Sequence, residues 1–274
     1  MSATQIIITI GTILHNPKEY DPYNSIVPIY IETEIPKRTM QIGTGIFLDF
    51  RNTPILLTAA HVTDDLKNGE LLVPTRDGLR PIEGYMAHID LPPEIPRSED
   101  NVDIAYYRLS SNFATLMCFE FWPLPPTKIE IIPTALKLSV CSITGFPSSK
   151  SKKNNEGTHT SNIFSYRGVL ASQETYKEHS LRPEQNILIN FNRKNAVSPE
   201  DMNKVVPPSP KGLSGGAIFA WPDGEEISED WTLPKLVGIF HSYKQNSGLM
   251  IGTSLISVVA AITLGEMKNY DGVV

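Results

Sequence analysis

The segment Lys211–Phe219 places Ser214 among three glycines, at 212, 215 and 216, directly before an apolar run. Glycine permits backbone angles and close approaches that a Cβ atom would block, so this composition suits a tight turn whose N–H groups face a ligand. A serine hydroxyl exposed beside bare N–H groups is a candidate nucleophile. The same pattern also occurs in ordinary turns, and alone it does not establish any chemistry.

A serine nucleophile needs a base to accept its proton, and the base needs a carboxylate to orient it. His61 lies at the end of the apolar run Leu56–Val62, and Asp103 stands at the head of the alternating run Asn101–Leu109. A histidine after an apolar run is commonly a core or surface residue, and an aspartate that opens a strand is commonly a turn residue. However, all three residues occur beside strand-like runs, and this favours a joint chemical role.

The chain order His61, Asp103, Ser214 accompanies the motifs Thr-Ala-Ala-His, Asp-Ile-Ala and Gly-x-Ser-Gly-Gly. This combination resembles the chymotrypsin-like (trypsin-like) serine protease family, from about Gly43 to a C-terminal helix. The resemblance implies that Ser214 is the nucleophile, that His61 is its base and that Asp103 orients the imidazole. It also implies an oxyanion hole formed by the backbone N–H groups of Gly212 and Ser214.

Other residues of the same types compete for these roles. Glu99 and Asp100 lie just upstream of Asp103, but neither is followed by the Ile-Ala pair of the resemblance. The remaining histidines considered lie in polar or loop-like surroundings, at positions 15, 88, 159 and 179. Asp103 and His61 are therefore the predicted partners of the serine.

Leu213 precedes the nucleophile, where digestive and clotting members of the family usually have an aspartate. In zymogen-type members that aspartate receives the charge of a newly cut N-terminus, which leucine cannot do. The resemblance is therefore closer to intracellular, bacterial and viral members. It predicts that the chain from Met1 is the working form, without N-terminal processing. The polar segment Asn192–Pro210 is predicted to be a movable wall, which leaves room for a regulatory protein partner.

Substrate specificity is predicted from two places. In the family, the residue six positions before the nucleophile commonly forms the floor of the primary pocket, and this count gives Pro208. A preference for Lys or Arg is not supported, because nothing acidic lies there. The strand with Phe240, His241, Ser242 and Tyr243 is expected to line the pocket and to pair with substrate backbone. His241 either meets the triad carboxylate from behind or faces the pocket and binds an acidic side chain.

Composition limits the class of protein. The chain has 274 residues, of which 41% are hydrophobic, enough for a sizeable core. A net charge of −6 argues against a nucleic-acid partner, since phosphate binding depends on a concentrated basic face.

The two cysteines, Cys118 and Cys141, are few for a secreted member of the family and predict a reducing, cytoplasmic location. Neither a signal peptide nor a membrane-spanning run is expected, and no metal or cofactor is predicted.

Short runs rich in Ile, Val, Leu, Phe and Tyr alternate with proline, glycine and asparagine clusters, as in an all-β chain. The predicted strands are Gln5–Ile10, Ile26–Glu32, Gly45–Phe50, Pro54–Ala59, Ile104–Leu109, Leu138–Thr144, Ser165–Ala171, Asn186–Phe191, Ala217–Ala220, Lys235–Ser242 and Gly248–Thr253.

After them, Leu255, Val258, Val259 and Ile262 recur with helical spacing, between Ser254 as N-cap and Gly265 as stop. We expect this helix to pack on the second barrel.

With the family resemblance, the pattern predicts two antiparallel six-stranded β-barrels followed by the α-helix. Residues 1–120 would form the N-terminal barrel with His61 and Asp103, and residues 121–274 the C-terminal barrel with Ser214. The predicted function is a cytoplasmic serine endopeptidase with a narrow protein or peptide substrate. Bacterial members of this kind include defence proteins, an analogy at the level of fold. A catalytically idle peptide-binding module and a viral polyprotein protease are the alternatives.

Overall fold

A computed structural model describes residues 7–9, 21–33, 38–88, 91, 94–153, 159–198, 203–221, 234–264 and 268–270. The strands are β1 Ile7–Thr9, β2 Ile26–Thr33, β3 Arg38–Phe50, β4 Thr53–Thr58, β5 Gly69–Thr75, β6 Gly78–Pro81, β7 Gly84–His88, β8 Ala105–Leu109, β9 Val140–Gly145, β10 Ser151–Lys153, β11 His159–Asn162, β12 Phe164–Leu170, β13 Asn186–Asn190, β14 Ala217–Ala220, β15 Lys235–Lys244, β16 Leu249–Ser254 and β17 Lys268–Tyr270. The α-helices are α1 Ala60–Thr63, α2 Ser111–Met117, α3 Gln173–Glu178 and α4 Leu255–Leu264. Short 3₁₀ turns cover Pro22–Ser25, Asp64–Asn68, Arg97–Glu99, Pro126–Lys128, Ala135–Lys137, Ser148–Lys150 and Arg193–Asn195.

Two antiparallel β-units dominate the fold. Strands β12, β13, β16, β15, β14 and β9 close into a six-stranded barrel, and β17, β7, β8, β4, β3, β2, β5 and β6 follow one another in an eight-stranded sheet. The predicted fold class, two chymotrypsin-like β-units with a C-terminal helix, is confirmed. The N-terminal unit has eight strands instead of the expected six, and one of them, β17, returns from beyond α4 to pair with β7.

The N-terminal strand was predicted to belong to the first barrel, and this is wrong. Ile7–Thr9 does form a strand, but it pairs with β11 in a separate sheet of order β1-β11-β10. Composition identifies a strand without specifying its partner, and the β10–β11 hairpin offers a free edge for pairing. The other residues of that predicted strand lie outside the described residues.

Two apolar clusters form the interior. One lies mainly under the eight-stranded sheet and also includes Leu255 and Val258 of α4. The other fills the closed barrel and includes Leu213, which is completely buried. Helix α4 also lies against β15 and β16. The predicted packing of this helix on the second barrel is therefore confirmed, and the apolar cluster to which it belongs extends into the N-terminal sheet. Its predicted stop, Gly265, lies outside the described residues.

Candidate active site

His61 and Asp103 come together because the elements that position them are neighbours. His61 lies in the single turn of α1, directly after β4, and Asp103 lies just before β8. Strands β4 and β8 pair with Thr58 opposite Ala105, so the end of one strand meets the start of the other. His61 Nδ1 is 2.6 Å from Asp103 Oδ2, and the backbone N–H of His61 donates to Asp103 Oδ1 at 2.9 Å.

Both groups of this pair have shifted pKa values. Burial acts to lower the pKa of His61, but the hydrogen bond and the charge of Asp103, with the charges of Asp64 and Asp65, raise it above its ordinary value. Burial acts to raise the pKa of Asp103, but the hydrogen bonds and charge of His61 and the charge of His241 lower it overall. The carboxylate is therefore ionised at neutral pH and favours the protonated imidazole.

The loop that presents Asp103 is held by the opposite unit. Thr253 Oγ1 of β16 donates to the carbonyl of Val102 at 2.8 Å, and the Asn186 side-chain amide of β13 donates to the carbonyl of Asn101. Asp103 itself has a φ of 27°, which is unusual for a residue with a Cβ atom but is tolerated by aspartate. The C-terminal barrel thus helps to fix the carboxylate that faces His61.

Asp100, the competing carboxylate, has other partners. Its Oδ2 accepts from Arg97 Nη1 at 2.9 Å and its Oδ1 accepts from the backbone N–H of Val102 at 2.9 Å. Arg97 Nε donates in turn to Asp64 Oδ2 at 3.1 Å, so Arg97 bridges the turn after His61 and the loop before Asp103. Arg97 was not predicted to have a role, because its partner Asp64 lies 33 residues away in the chain.

Ser214 lies in the turn before β14, against the end of β4. Gly215, at a φ of 85°, packs so closely that a Cβ atom there would be 2.3 Å from Thr58 Oγ1 and 3.0 Å from the backbone nitrogen of Ala59. The hydroxyl of Ser214 donates to the carbonyl of His241 at 3.3 Å. Within the described part of the chain it forms no hydrogen bond with His61, whose side chain is 37% exposed. Such contacts often tighten only when substrate is bound.

The backbone of the serine turn places the two predicted oxyanion donors. The carbonyl of Lys211 accepts from the Ser148 N–H at 2.8 Å, and the carbonyl of Leu213 accepts from the Gly216 N–H at 2.7 Å. In a trans peptide the N–H points opposite to the carbonyl. The N–H groups of residues 212 and 214 therefore point away from Ser148 and Gly216, towards which the Lys211 and Leu213 carbonyls point. Among the described residues, neither donates to a protein acceptor.

His241 is the extra residue of a β-bulge. Phe240 lies opposite Gly252 and Ser242 opposite Ile251, which leaves His241 without a partner in the β15–β16 ladder. Its side chain is 4% exposed, and Nδ1 lies 3.9 Å from Asp103 Oδ2 and 3.0 Å from Ser242 Oγ. Burial lowers the pKa of His241 to about 4. Of the two predicted orientations, the structure therefore has the ring behind the carboxylate.

The other predicted pocket residues differ in their exposure to solvent. Phe240 is 1% exposed and packs in the barrel core, so the prediction that it lines a substrate pocket is wrong for this structure. The alternating pattern of β15 did not determine whether Phe240 faces the pocket or the core. The register of the strand around the bulge places Phe240 in the core. Ser242 and Tyr243 are half-buried, as is Pro208, whose carbonyl accepts from the Tyr166 hydroxyl at 3.3 Å.

The predicted movable wall, Asn192–Pro210, is described except at 199–202, and Arg193 Nη2 donates to the Pro207 carbonyl within it at 2.7 Å.

The described residues contain no group of three His, Cys, Asp or Glu side chains placed to hold a metal ion. Cys118 is exposed and Cys141 is buried, and both are free thiols. No helix in the described ranges is both long and apolar enough to cross a membrane.

Comparison with known proteins supports the fold through structure alone. No family model and no curated protein sequence matches the chain. Among solved structures, neuropsin, a serine protease expressed in the limbic system of mouse brain, superposes with a TM-score of 0.53 at 14% identity, covering 90% of this chain and 97% of neuropsin. A Glu endopeptidase gives 0.48 at 15% identity, covering 93% and 95% of the two chains. Tobacco etch virus protease bound to its product gives 0.47 at 13% identity, covering 96% and 90%. The chain therefore has the chymotrypsin-like serine protease fold.

Proposed function

We propose that the protein is a serine endopeptidase in which Ser214 is the nucleophile, His61 the general base and Asp103 the orienting carboxylate. The observation that supports this most directly is the 2.6 Å contact between His61 Nδ1 and Asp103 Oδ2, in a histidine whose side chain is 37% exposed. The second hydrogen bond, from the His61 backbone, fixes the carboxylate relative to the same residue. The chain thus has an oriented base directly beside the serine turn.

In the proposed reaction, Ser214 Oγ attacks a peptide carbonyl while His61 Nε2 accepts its proton. The new C–O bond places negative charge on the carbonyl oxygen, which the N–H groups of Gly212 and Ser214 stabilise. His61 then gives the proton to the leaving amine, which leaves an acyl group on Ser214. Water, activated by the same imidazole, hydrolyses this ester and restores the serine.

One observation favours the alternative of an idle peptide-binding module. Ser214 Oγ donates to the carbonyl of His241 instead of to His61. For catalysis the hydroxyl must leave that acceptor and turn towards the imidazole. A substrate that occupies the cleft and takes the His241 carbonyl as its own acceptor would release it.

The test is reaction with a fluorophosphonate probe, followed by intact-mass analysis and peptide mapping. We expect a single adduct on Ser214 in the wild-type protein, because only an activated serine attacks the probe. Ser214→Ala should lose both the adduct and the cleavage of any peptide that the wild type cuts in a peptide library, a decrease on the order of 10⁶-fold in kcat. Ser172→Ala, which alters an exposed serine, is the matched control and should react normally.

Absence of an adduct in well-folded wild-type protein would favour the binding module. Cleavage that persists in Ser214→Ala would exclude Ser214 as the nucleophile.

We further propose a protein or peptide substrate of narrow range and a cytoplasmic location. Residues 1–120 and 121–274 are proposed as the two domains, except that β1 pairs with β11 and β17 joins the N-terminal sheet. The absence of an acidic residue at Pro208 supports a preference for side chains other than Lys and Arg. A peptide library assay would measure this preference, and efficient cleavage after Lys or Arg would contradict it.

A further inference from the structure

The carbonyl of Gly212, between the two proposed oxyanion donors, accepts two hydrogen bonds from the opposite unit. Thr44 Oγ1 donates to it at 2.9 Å and Gln41 Nε2 donates at 3.1 Å. Both side chains belong to β3 and are buried, Thr44 completely. The backbone N–H of Thr44 also donates to the carbonyl of Ser214 at 2.8 Å. Three donors from one strand therefore hold the serine turn of the other unit.

These donors are themselves held in place. The two N–H bonds of Gln41 Nε2 serve three carbonyls, those of Gly43 at 2.7 Å, Phe146 at 2.8 Å and Gly212 at 3.1 Å, so the longest contact, to Gly212, shares a hydrogen with another acceptor. Thr44 Oγ1 donates its one hydrogen to Gly212 and accepts from the Phe146 N–H at 3.0 Å. The same 146–148 turn fixes the Lys211 carbonyl through Ser148. Gln41 Oε1 is buried without a hydrogen-bond partner among the described residues, so the amide is arranged around its donor atom.

We propose that Gln41 and Thr44 are positioning residues that order the oxyanion loop in the absence of an aspartate at position 213. Leu213 is buried in the apolar barrel cluster and offers no charge to a new N-terminus. The Gly212 carbonyl lies in the peptide plane between the two planes that carry the donor N–H groups. Those two planes are held at their own carbonyls, Lys211 by Ser148 and Leu213 by Gly216, so restraining the middle plane limits the remaining rotation of the loop. The inference rests on the proposed function, since it assigns these residues to the same site.

The test compares Thr44→Val, Thr44→Ser, Gln41→Leu and the double variant Gln41→Leu/Thr44→Val with the wild type. Thr44→Val and Gln41→Leu each remove donors at nearly constant volume, while Thr44→Ser keeps the hydroxyl. Thr75→Val is the matched control, because Thr75 is a buried threonine of the same sheet whose hydroxyl donates to one carbonyl, that of Gly78, at 3.0 Å.

We expect kcat to fall about 10-fold to 100-fold in each donor-deficient single variant. The double variant should approach the loss of one oxyanion donor, on the order of 10²-fold to 10³-fold. KM should change little, because the oxyanion forms only in the transition state. Thr44→Ser should retain most of the wild-type kcat, and Thr75→Val should leave kcat unchanged. Normal kcat in the double variant would overturn the proposal.

Hydrogen–deuterium exchange gives a readout that does not depend on catalysis. The N–H groups of Leu213 and Gly216 are hydrogen-bonded inside the turn. In the double variant, peptides that cover residues 211–219 should exchange at least about 10-fold faster than in the wild type, and in Thr75→Val they should not. Unchanged exchange would overturn the proposed ordering role even if the wild type reacts with the fluorophosphonate probe. Faster exchange in a protein that never reacts with the probe would refute the proposed function but not the ordering role.

Discussion

The two β-units differ in how far the hydrogen bonds of the proposed catalytic residues are already formed. In the N-terminal sheet, His61 and Asp103 are joined by two hydrogen bonds and the carboxylate is buried. In the C-terminal barrel, Ser214 donates to the carbonyl of His241 instead. Charged groups need fixed partners when water is removed, whereas a neutral hydroxyl can change its acceptor at little cost. In the proposed mechanism, the base is therefore oriented before substrate arrives and the nucleophile completes its alignment afterwards.

The largest expected effect comes from breaking the organised pair. Asp103→Asn should lower kcat by about 10⁴-fold, because the amide favours the wrong imidazole tautomer. It should also move the acidic limb of the pH–rate profile to lower pH, since the Asp103 charge is what raises the pKa of His61. Steady-state kinetics from pH 5 to 9 measure both effects. Asp100→Asn is the control, and a severe loss there with normal activity in Asp103→Asn would show that the wrong carboxylate was chosen.

A second prediction concerns His241, which lies between the two units. Its folded pKa of about 4 is below the unfolded value of 6.5, so the unfolded chain takes up the proton first as the pH falls. The contribution of His241 to stability should therefore decrease by about 3 kcal/mol between about pH 6.5 and 4. Asp21 and Glu120, whose pKa values burial raises, act in the opposite direction as the pH falls. Over this range the contributions of His61 and Asp103 are constant, because stabilisation from a raised histidine pKa is complete below 6.5 and stabilisation from a lowered aspartate pKa is complete above about 4.

Urea unfolding at several pH values measures this change. His241→Gln should show a smaller loss of stability towards pH 4 than the wild type, whereas His179→Gln, at an exposed contact with Lys244, should not differ from it. Equal slopes in the wild type and His241→Gln would contradict a buried neutral imidazole.

The third prediction concerns the hydrogen bond by which the barrel restrains the loop that carries Asp103. Thr253→Val removes the hydrogen bond to the Val102 carbonyl, worth about 1 kcal/mol, and should lower kcat by about 5-fold. The acidic limb of the pH–rate profile should shift slightly in the same direction as in Asp103→Asn. Thr75→Val again serves as the control, and identical kinetics in both variants would mean that the loop is held without Thr253.

The smallest expected effect is that of removing N-terminal residues on activity. Removal of residues 1–20 should give no gain in kcat/KM, because Leu213 cannot pair with a new ammonium and Gln41 and Thr44 already hold the loop. A slight loss of stability is expected, since β1 no longer pairs with β11. Assays of full-length protein beside successively trimmed versions measure this. Strong activity that appears only after trimming would contradict the account.

Local patterns in the sequence predicted the strands that surround the three proposed catalytic residues. Apolar runs bounded by glycine and proline located β4, β8, β14 and β15 to within two residues. The residues that hold the serine turn were missed because β3 was predicted to begin at Gly45 instead of Arg38. In the sequence, Gln41 and Thr44 look like interruptions of an apolar strand. The carbonyls that they bind in the other unit, those of Phe146 and Gly212, lie more than a hundred residues away. A buried polar residue beside glycine in such a strand was the available signal.

Strands β5 to β7 were missed for a related reason. Pro74, Asp77 and Pro81 suggest loops, yet they lie in or beside two short hairpin strands. The positions of β1, β17 and α4 depend on which free edge or apolar face the chain meets, and single-sequence patterns do not contain that information.

The bulge at His241 also affects how residues are compared between distantly related chains. Because Phe240 and Ser242 keep consecutive partners in β16, one amino acid has been accommodated without altering the ladder on either side. An ungapped alignment with a relative that lacks this residue would be correct on one side of position 241 and displaced by one on the other. Every side chain on the displaced side would then be assigned to the wrong face of the strand. Substrate-contacting positions in this chain must therefore be transferred by superposition of backbones, with a gap at 241, and not by counting from Ser214.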